Sequence, residues 1–151
     1  VVVSSPMNRT FETAKLIADK LNVEVILEEN LREISFGDWD GHTNEEVKRL
    51  WSEEFSAWRG SWELSPPNGE SLETFDERIR VARESLLAKF AGKTVVVIAH
   101  VMPIRGFISL ALDAGPSGYW VTQVAPCSVT VVRQWGTAHS ELVATNFTGH
   151  L

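Results

Sequence analysis

Two places in the sequence set a cationic side chain just beyond an apolar run that turns into a helix. Val1-Val2-Val3-Ser4-Ser5-Pro6 leads to Arg9, and Val95-Val96-Val97-Ile98-Ala99-His100 leads to Pro103 and Arg105. In parallel α/β sheets ligands gather at the carboxyl ends of strands, where helix N-termini offer free N–H groups and a partial positive charge. Both turns are predicted to face one crevice, and the chemistry they suit is the holding of an anion. An arginine in a first helical turn opposes the helix dipole, so an anion seated beside Arg9 would offset the repulsion; an exposed carboxylate would do the same. His100 is open to two readings, a structural hydrogen-bond partner at the sheet edge or a ligand-facing imidazole. His42 follows a turn, His139 falls in a hairpin loop and His150 is next to the last residue. Glu33 lies in a loop, where a carboxylate by itself reads as solvated.

The elements that must position these residues follow from apolar patterning. Val1–Val3 is β-branched without alternation, which suits a strand covered on both faces. From Pro6 a helix is predicted with Phe11, Ala14, Ala18 and Leu21 on one face. Residues 22–27 read as a second strand and residues 36–41 as turn-rich loop. Val47, Leu50, Trp51, Phe55 and Trp58 recur at helical spacing, and residues 61–69, with Pro66-Pro67-Asn68-Gly69, must be loop. Ser71 is the predicted N-cap of a helix whose core face is Leu72, Phe75, Ile79, Ala82, Leu86 and Phe90. Residues 94–99 form the strongest strand pattern and residues 103–112 an apolar helix directly after it. Residues 128–135 and 141–146 complete the chain as a hairpin. Strands alternating with helices predict an α/β fold: a three-layer α/β/α sandwich with a mainly parallel sheet.

The chain has 151 residues, the size of one domain able to bury roughly 70% of its unfolded surface, and one core is expected. A net charge of −6 disfavours a broad nucleic-acid interface, which needs clustered Lys and Arg, so any phosphate site must be local. Cys127 is the only cysteine, which excludes an internal disulfide and a CxxC metal knuckle and fits a reducing cytoplasm. The longest apolar run, residues 94–99, is far shorter than the ~20 residues of a membrane span. No signal peptide opens the sequence.

Four blocks taken together resemble the histidine phosphatase (phosphoglycerate mutase-like) superfamily. They are Ser4-Ser5-Pro6-Met7-Asn8-Arg9-Thr10-Phe11-Glu12-Thr13-Ala14, Leu31-Arg32-Glu33-Ile34-Ser35-Phe36-Gly37-Asp38-Trp39-Asp40-Gly41, Pro67-Asn68-Gly69-Glu70-Ser71 and Val97-Ile98-Ala99-His100. They occur in family order with family-like separations and span most of the chain. Leu110-Ala111-Leu112-Asp113-Ala114-Gly115-Pro116 looks like the acid phosphatase half of actinobacterial proteins that carry a ribonuclease H domain ahead of it, and the alpha-ribazole phosphatases are similar as well.

The resemblance implies a phosphatase acting on phosphate monoesters in two displacements. A histidine in an Arg-His-Gly motif attacks the phosphoryl group while a carboxylic acid protonates the leaving oxygen; water then hydrolyses the phosphohistidine. By the same resemblance Arg9 is the second phosphate-binding arginine, Glu33 the proton donor and His100 the second histidine, with no metal and no cofactor. Glu70 and Ser71 match a segment near that histidine, although a plain helix cap accounts for Ser71 equally well. Trp62, in the segment that covers the family's active site, is a candidate for substrate contact. The partners implied are a small phosphorylated metabolite or phosphate ion, and an N-terminal ribonuclease H domain in the full-length protein.

Three departures qualify the match. The Arg-His-Gly tripeptide does not occur in the sequence, so the nucleophile and its strand are expected ahead of Val1 and residues 1–151 are expected to be inactive alone. The domain, residues 1–151, is then incomplete at its N-terminus, and the Val1–Val3 strand is expected to expose a bare edge that favours a homodimer or aggregation. Val101-Met102 stands where many relatives carry glycine; the side chain narrows the phosphate pocket but leaves the Val101 backbone N–H available. Ile34 stands where the sugar-phosphate mutases usually carry a substrate-binding arginine, which favours hydrolysis over a mutase reaction. A non-catalytic phosphate-binding domain is the remaining alternative.

Overall fold

The computed structural model describes residues 1–151 and packs as two compact units, residues 1–33 with 79–151 and residues 34–78, in place of one core. In the first unit the strands are β1 (Val2–Ser4), β2 (Val25–Leu27), β3 (Val96–Ile98), β4 (Val129–Trp135) and β5 (His139–Phe147), with helices α1 (Asn8–Leu21) and α5 (Val101–Leu112). The second unit holds α2 (Asn44–Leu50) and α3 (Ser52–Arg59), and α4 (Leu72–Lys89) begins in it.

Parallel strands need crossovers, and here α1 supplies the one from β1 to β2. The sheet order is β2-β1-β3, all parallel, with Ser4 opposite Leu27 on one side and Ile98 on the other. The expected bare edge at Val1–Val3 is therefore corrected: β1 is the central strand, wholly buried, with a ladder on each side. On one face Ala14 and Ala18 of α1 pack on Val2, Val25, Val96 and Ile98. On the other, Ala82 and Leu86 of α4 and Phe107 of α5 pack around Val3, Leu31 and Val97. This is the predicted three-layer α/β/α arrangement.

The buried line of α1 differs from the predicted one. It is Thr10, Ala14 and Ala18, while Phe11 is 37% and Leu21 55% exposed. Small side chains at a four-residue interval let the helix approach the sheet closely, and the Thr10 hydroxyl is satisfied by the Met7 carbonyl at 2.7 Å. β4 and β5 form a separate antiparallel pair rather than a continuation of the parallel sheet. His139, expected in the hairpin loop, opens β5 opposite Trp135. Buried Arg83 ties this hairpin to α4: its guanidinium donates to Gln134 Oε1, the Thr137 carbonyl and Ser140 Oγ at 3.1, 2.9 and 2.9 Å.

The second unit is organised by aromatic rings. Trp39 and Trp58 meet edge-to-face, centroids 5.4 Å apart, and with Val47 form a cluster against Phe36, Trp51 and Phe55. The helical spacing over Val47–Trp58 is split in the structure: Trp51 (φ −134°, ψ 51°) ends α2 and starts α3. Thr43 and Glu46 close a capping box at the start of α2. Gly37 (φ +57°) lies so close to the neighbouring loop that a Cβ would fall 2.1 Å from the Pro67 carbonyl, which accepts the Asp38 N–H at 2.9 Å. Ser71 caps α4 as predicted, its hydroxyl accepting the Thr74 N–H at 3.1 Å. No helix is long and apolar enough to cross a membrane.

Candidate active site

The carboxyl edge of the parallel sheet is where the site residues of the first unit collect. β1 and β3 are neighbours, yet the helix that follows β1 covers one face of the sheet and the helix that follows β3 covers the other. Helices diverging from adjacent strands leave a crevice at the strand ends, the usual ligand position in open α/β sheets.

Ser5, the residue that follows β1 at this edge, is fully buried. Its N–H donates to the Ile98 carbonyl at 3.0 Å, which carries the β1–β3 ladder one residue past the strand. Its carbonyl accepts from the hydroxyls of Ser4, at 2.8 Å, and Thr10, at 3.0 Å. The hydroxyl that remains lies 2.8 Å from Nε2 of His100, which is 7% exposed. His100 is the N-cap of α5, and its carbonyl accepts the Ile104 N–H at 3.1 Å. Backbone and ring are thus both fixed.

Glu33 reaches the same helix end from β2. Glu28 N–H donates to the Ser4 carbonyl at 2.9 Å, buried Leu31 anchors a short 3₁₀ turn, and the chain emerges with Glu33 half-buried. Its carboxylate accepts the Met102 N–H at 3.2 Å to Oε1 and 3.5 Å to Oε2. A carboxylate at the N-terminus of α5 meets both a free donor and the positive end of the dipole. Val101, the preceding residue, is 39% exposed, and its N–H belongs to the same first turn, whose donors have no partner within the helix.

Arg9 is the second residue of α1, exposed, and forms no ion pair. The alternative in which it reaches a carboxylate is not what the structure shows. Arg9 and His100 belong to helices on opposite faces of the sheet, but both stand at its carboxyl edge. Glu70 is held by Arg78 through two bonds of 2.7 and 2.9 Å, and the Trp62 carbonyl accepts the Glu73 N–H. His42 packs against Trp51, and His150 contacts the Cys127 carbonyl. No group of three or more His, Cys, Asp or Glu side chains is arranged to hold a metal.

Ser5 and the Met102 N–H are the two participants that sequence reasoning missed. The only signal for Ser5 was a serine closing a strand that otherwise reads as apolar.

A profile of the histidine phosphatase superfamily (branch 1) matches residues 1–148. The chain belongs to this superfamily. It is 33% identical over 150 residues to a bifunctional protein of Mycobacterium tuberculosis, covering 99% of this chain but 41% of that protein. It is 32% identical over 152 residues to phosphoserine phosphatase 1 of Hydrogenobacter thermophilus, covering 100% of this chain and 72% of that one. Among solved structures it resembles a mycobacterial glucosyl-3-phosphoglycerate phosphatase in complex with inorganic phosphate, with a TM-score of 0.85, 23% identity and coverage of 100% and 78% of the two chains. The alpha-ribazole phosphatase of Shigella flexneri gives 0.82 at 22% identity, covering 97% and 73%. At these identities the structural likeness speaks for the fold, and the fold is the phosphoglycerate mutase-like α/β sandwich expected from the sequence. The chain spans about two fifths of the length of the bifunctional relative.

Proposed function

We propose that this histidine phosphatase chain hydrolyses phosphate monoesters of small metabolites through a phosphohistidine, with the nucleophilic histidine on a segment ahead of Val1. The observation that carries the reading is the convergence on the first turn of α5 of His100, buried against Ser5, and the Glu33 carboxylate, on the Met102 N–H. It supplies a fixed donor and a proton-transferring carboxyl group beside one anion-attracting helix end, with Arg9 and the Val101 N–H as further donors.

In the first displacement the nucleophilic imidazole forms a bond to phosphorus as the ester P–O bond breaks, and Glu33 in its acid form gives its proton to the leaving oxygen. In the second, Glu33 takes a proton from water, whose oxygen bonds to phosphorus as the P–N bond breaks, and phosphate departs. Arg9, His100 and the Val101 N–H neutralise the charge on the phosphoryl oxygens, which is where most of the stabilisation in phosphoryl transfer lies. Neither displacement calls for a metal. Ile34, 3% exposed, packs inward in place of the substrate-binding arginine of the mutases, which supports hydrolysis.

The test is to trap the phosphoenzyme. Protein extended upstream to include Arg-His-Gly should form an acid-labile phosphohistidine when mixed with labelled substrate, whereas residues 1–151 alone should not. Labelling of His100, or metal-free turnover by residues 1–151 equal to that of the longer protein, would overturn the assignment.

A further inference from the structure

Arg105, the cation that follows His100 in the sequence, takes no part in the proposed mechanism. It stands one turn into α5, four residues after Val101 and three after Met102, and side chains on a helix lean toward its N-terminus. The guanidinium accordingly lies back over the first turn, where Nη1 comes within 4.0 Å of Met102 Sδ. The backbone N–H of that same Met102 donates to the Glu33 carboxylate at 3.2 Å. Arg105 and the proposed proton donor thus meet at one residue, the first through its side chain and the second through its backbone.

Arg78, Arg83 and Arg105 are the arginines drawn in from the surface, and they differ in what they hold. Arg78 is bidentate on Glu70, and Arg83 reaches three acceptors. Half-buried Arg105 meets no carboxylate: Nε donates to the Thr122 carbonyl at 3.0 Å, Nη1 has only the thioether and Nη2 has no acceptor. A guanidinium carries five N–H donors in a fixed fork, and a charge drawn in from water is costly without an opposite one. The residue it touches has a second unsatisfied group, since Thr122 Oγ1 is buried and without a hydrogen-bond partner. Holding this loop does not account for the charge. A neutral donor would serve the Thr122 carbonyl, and the loop is tied to β5 as well, by the Ala125 N–H on Asn146 Oδ1 at 2.7 Å.

From these observations we infer that Arg105 is a specificity-determining residue that holds a carboxylate on the leaving group of the substrate, with Thr122 Oγ1 as a further donor. The inference rests on the proposed hydrolysis for where the leaving group lies. Glu33 stands at the leaving oxygen and Arg105 beside the donor that holds Glu33, so the group that this oxygen carries comes within reach of the guanidinium. The two anions are about one helical turn apart, ~5.4 Å, which a short carbon chain spans. A carboxylate fits better than a second phosphate. It is planar, takes Nη1 and Nη2 side by side, and its single charge is matched by the one guanidinium, whereas a dianion would leave charge uncompensated in a half-buried place. The substrate class is therefore the phosphate monoester of a small hydroxy acid, and Arg105 touches no reacting atom.

The experiment compares esters of one carbon skeleton in the full-length protein: 3-phosphooxypropanoate, which bears a carboxylate, propyl phosphate, which bears no second charge, and propane-1,3-diol bisphosphate. The ratio of kcat/KM for the carboxylated ester to that for the propyl ester is expected to be about tenfold or more, the range of a charged hydrogen bond. Arg105→Gln, which can still donate to the Thr122 carbonyl, should erase the preference, and Arg105→Lys should restore part of it. Thr122→Val keeps the carbonyl and should lower the ratio, which decides the matter should the Arg105 variants fail to fold. An Arg105 that only holds the loop would lower both esters together and leave the ratio where it was, and that result overturns the inference. So does a parent protein with no preference, or one that favours the bisphosphate over the carboxylate. If no ester is turned over, dissociation constants of the same pair by calorimetry give the ratio. A binding preference that Arg105→Gln erases then keeps the carboxylate site and contradicts the hydrolytic reading, whereas turnover with a ratio that Arg105→Gln does not move keeps hydrolysis and removes Arg105 from it.

Discussion

The imidazole Nε2 of His100 lies 2.8 Å from the hydroxyl of Ser5, a residue 95 positions away that its own backbone bonds lock to the end of β3. Ser5 fixes the ring, and in the proposed mechanism that ring holds the phosphoryl group. Ser5→Ala in the upstream-extended protein should therefore weaken inorganic phosphate about tenfold, equivalent to ~1.4 kcal/mol, which is the range of one buried hydrogen bond. Titration calorimetry gives the value. Unchanged affinity would show that His100 is held without Ser5.

Arg9 should separate binding from folding. It is exposed on the first turn of α1, where its charge opposes the helix dipole, so Arg9→Ala should change stability by no more than ~0.5 kcal/mol. Phosphate affinity should nevertheless fall, and more steeply at low ionic strength, because a charge-assisted bond is lost. A variant that unfolds early in urea but binds phosphate normally would reverse that assignment.

How far the site could be read in advance depended on distance along the chain. The core face of α4 was legible because Leu72, Phe75, Ile79 and Ala82 repeat at helical spacing, and all four are buried. β3 was legible because four consecutive β-branched residues allow little else. Position within a sheet is a different matter. Nothing in Val1–Val3 says that its neighbours are residues 25–27 and 96–98, so a central strand was mistaken for an exposed edge. The Ser5–His100 and Glu33–Met102 contacts were hidden for the same reason, since each joins residues that only the β2-β1-β3 order makes adjacent. On α1, hydrophobicity misled: Phe11 outranks Thr10 on any scale, but a satisfied hydroxyl at the right phase packs closer to the sheet.

Arg83 links α4 to the β4–β5 hairpin through three hydrogen bonds. Arg83→Met should cost about 2–4 kcal/mol, because the three acceptors it serves lose a partly buried charged donor. Burial also holds its pKa below the usual arginine value, a cost that the three bonds offset. Urea denaturation measures the loss; a change below ~0.5 kcal/mol would mean that the hairpin is held by packing alone.

The capping box of α2 should respond to acid. Hydrogen bonds from the backbone and side chain of Thr43 hold Glu46 below the ordinary value of 4.5, so its ionised form is favoured in the folded state. A depressed acid pKa contributes stability that is complete above 4.5 and is lost as pH falls through the lower folded value. Amide exchange at Thr43 and Glu46 should accelerate across that window, and Glu46→Gln should abolish the pH dependence. Exchange independent of pH in the parent protein, after correction for the intrinsic rate, contradicts the assignment.

The central claim is that Glu33 hands a proton to the leaving oxygen, and comparing leaving groups tests it most directly. In the upstream-extended protein, Glu33→Gln should slow hydrolysis of an alkyl phosphate by about 10²–10⁴, the usual share of a general acid, because an alkoxide cannot leave unprotonated. An activated aryl phosphate, whose phenolate leaves readily, should lose much less in the first displacement. Equal losses on the two substrates, measured under conditions where that displacement limits the rate, would contradict the account.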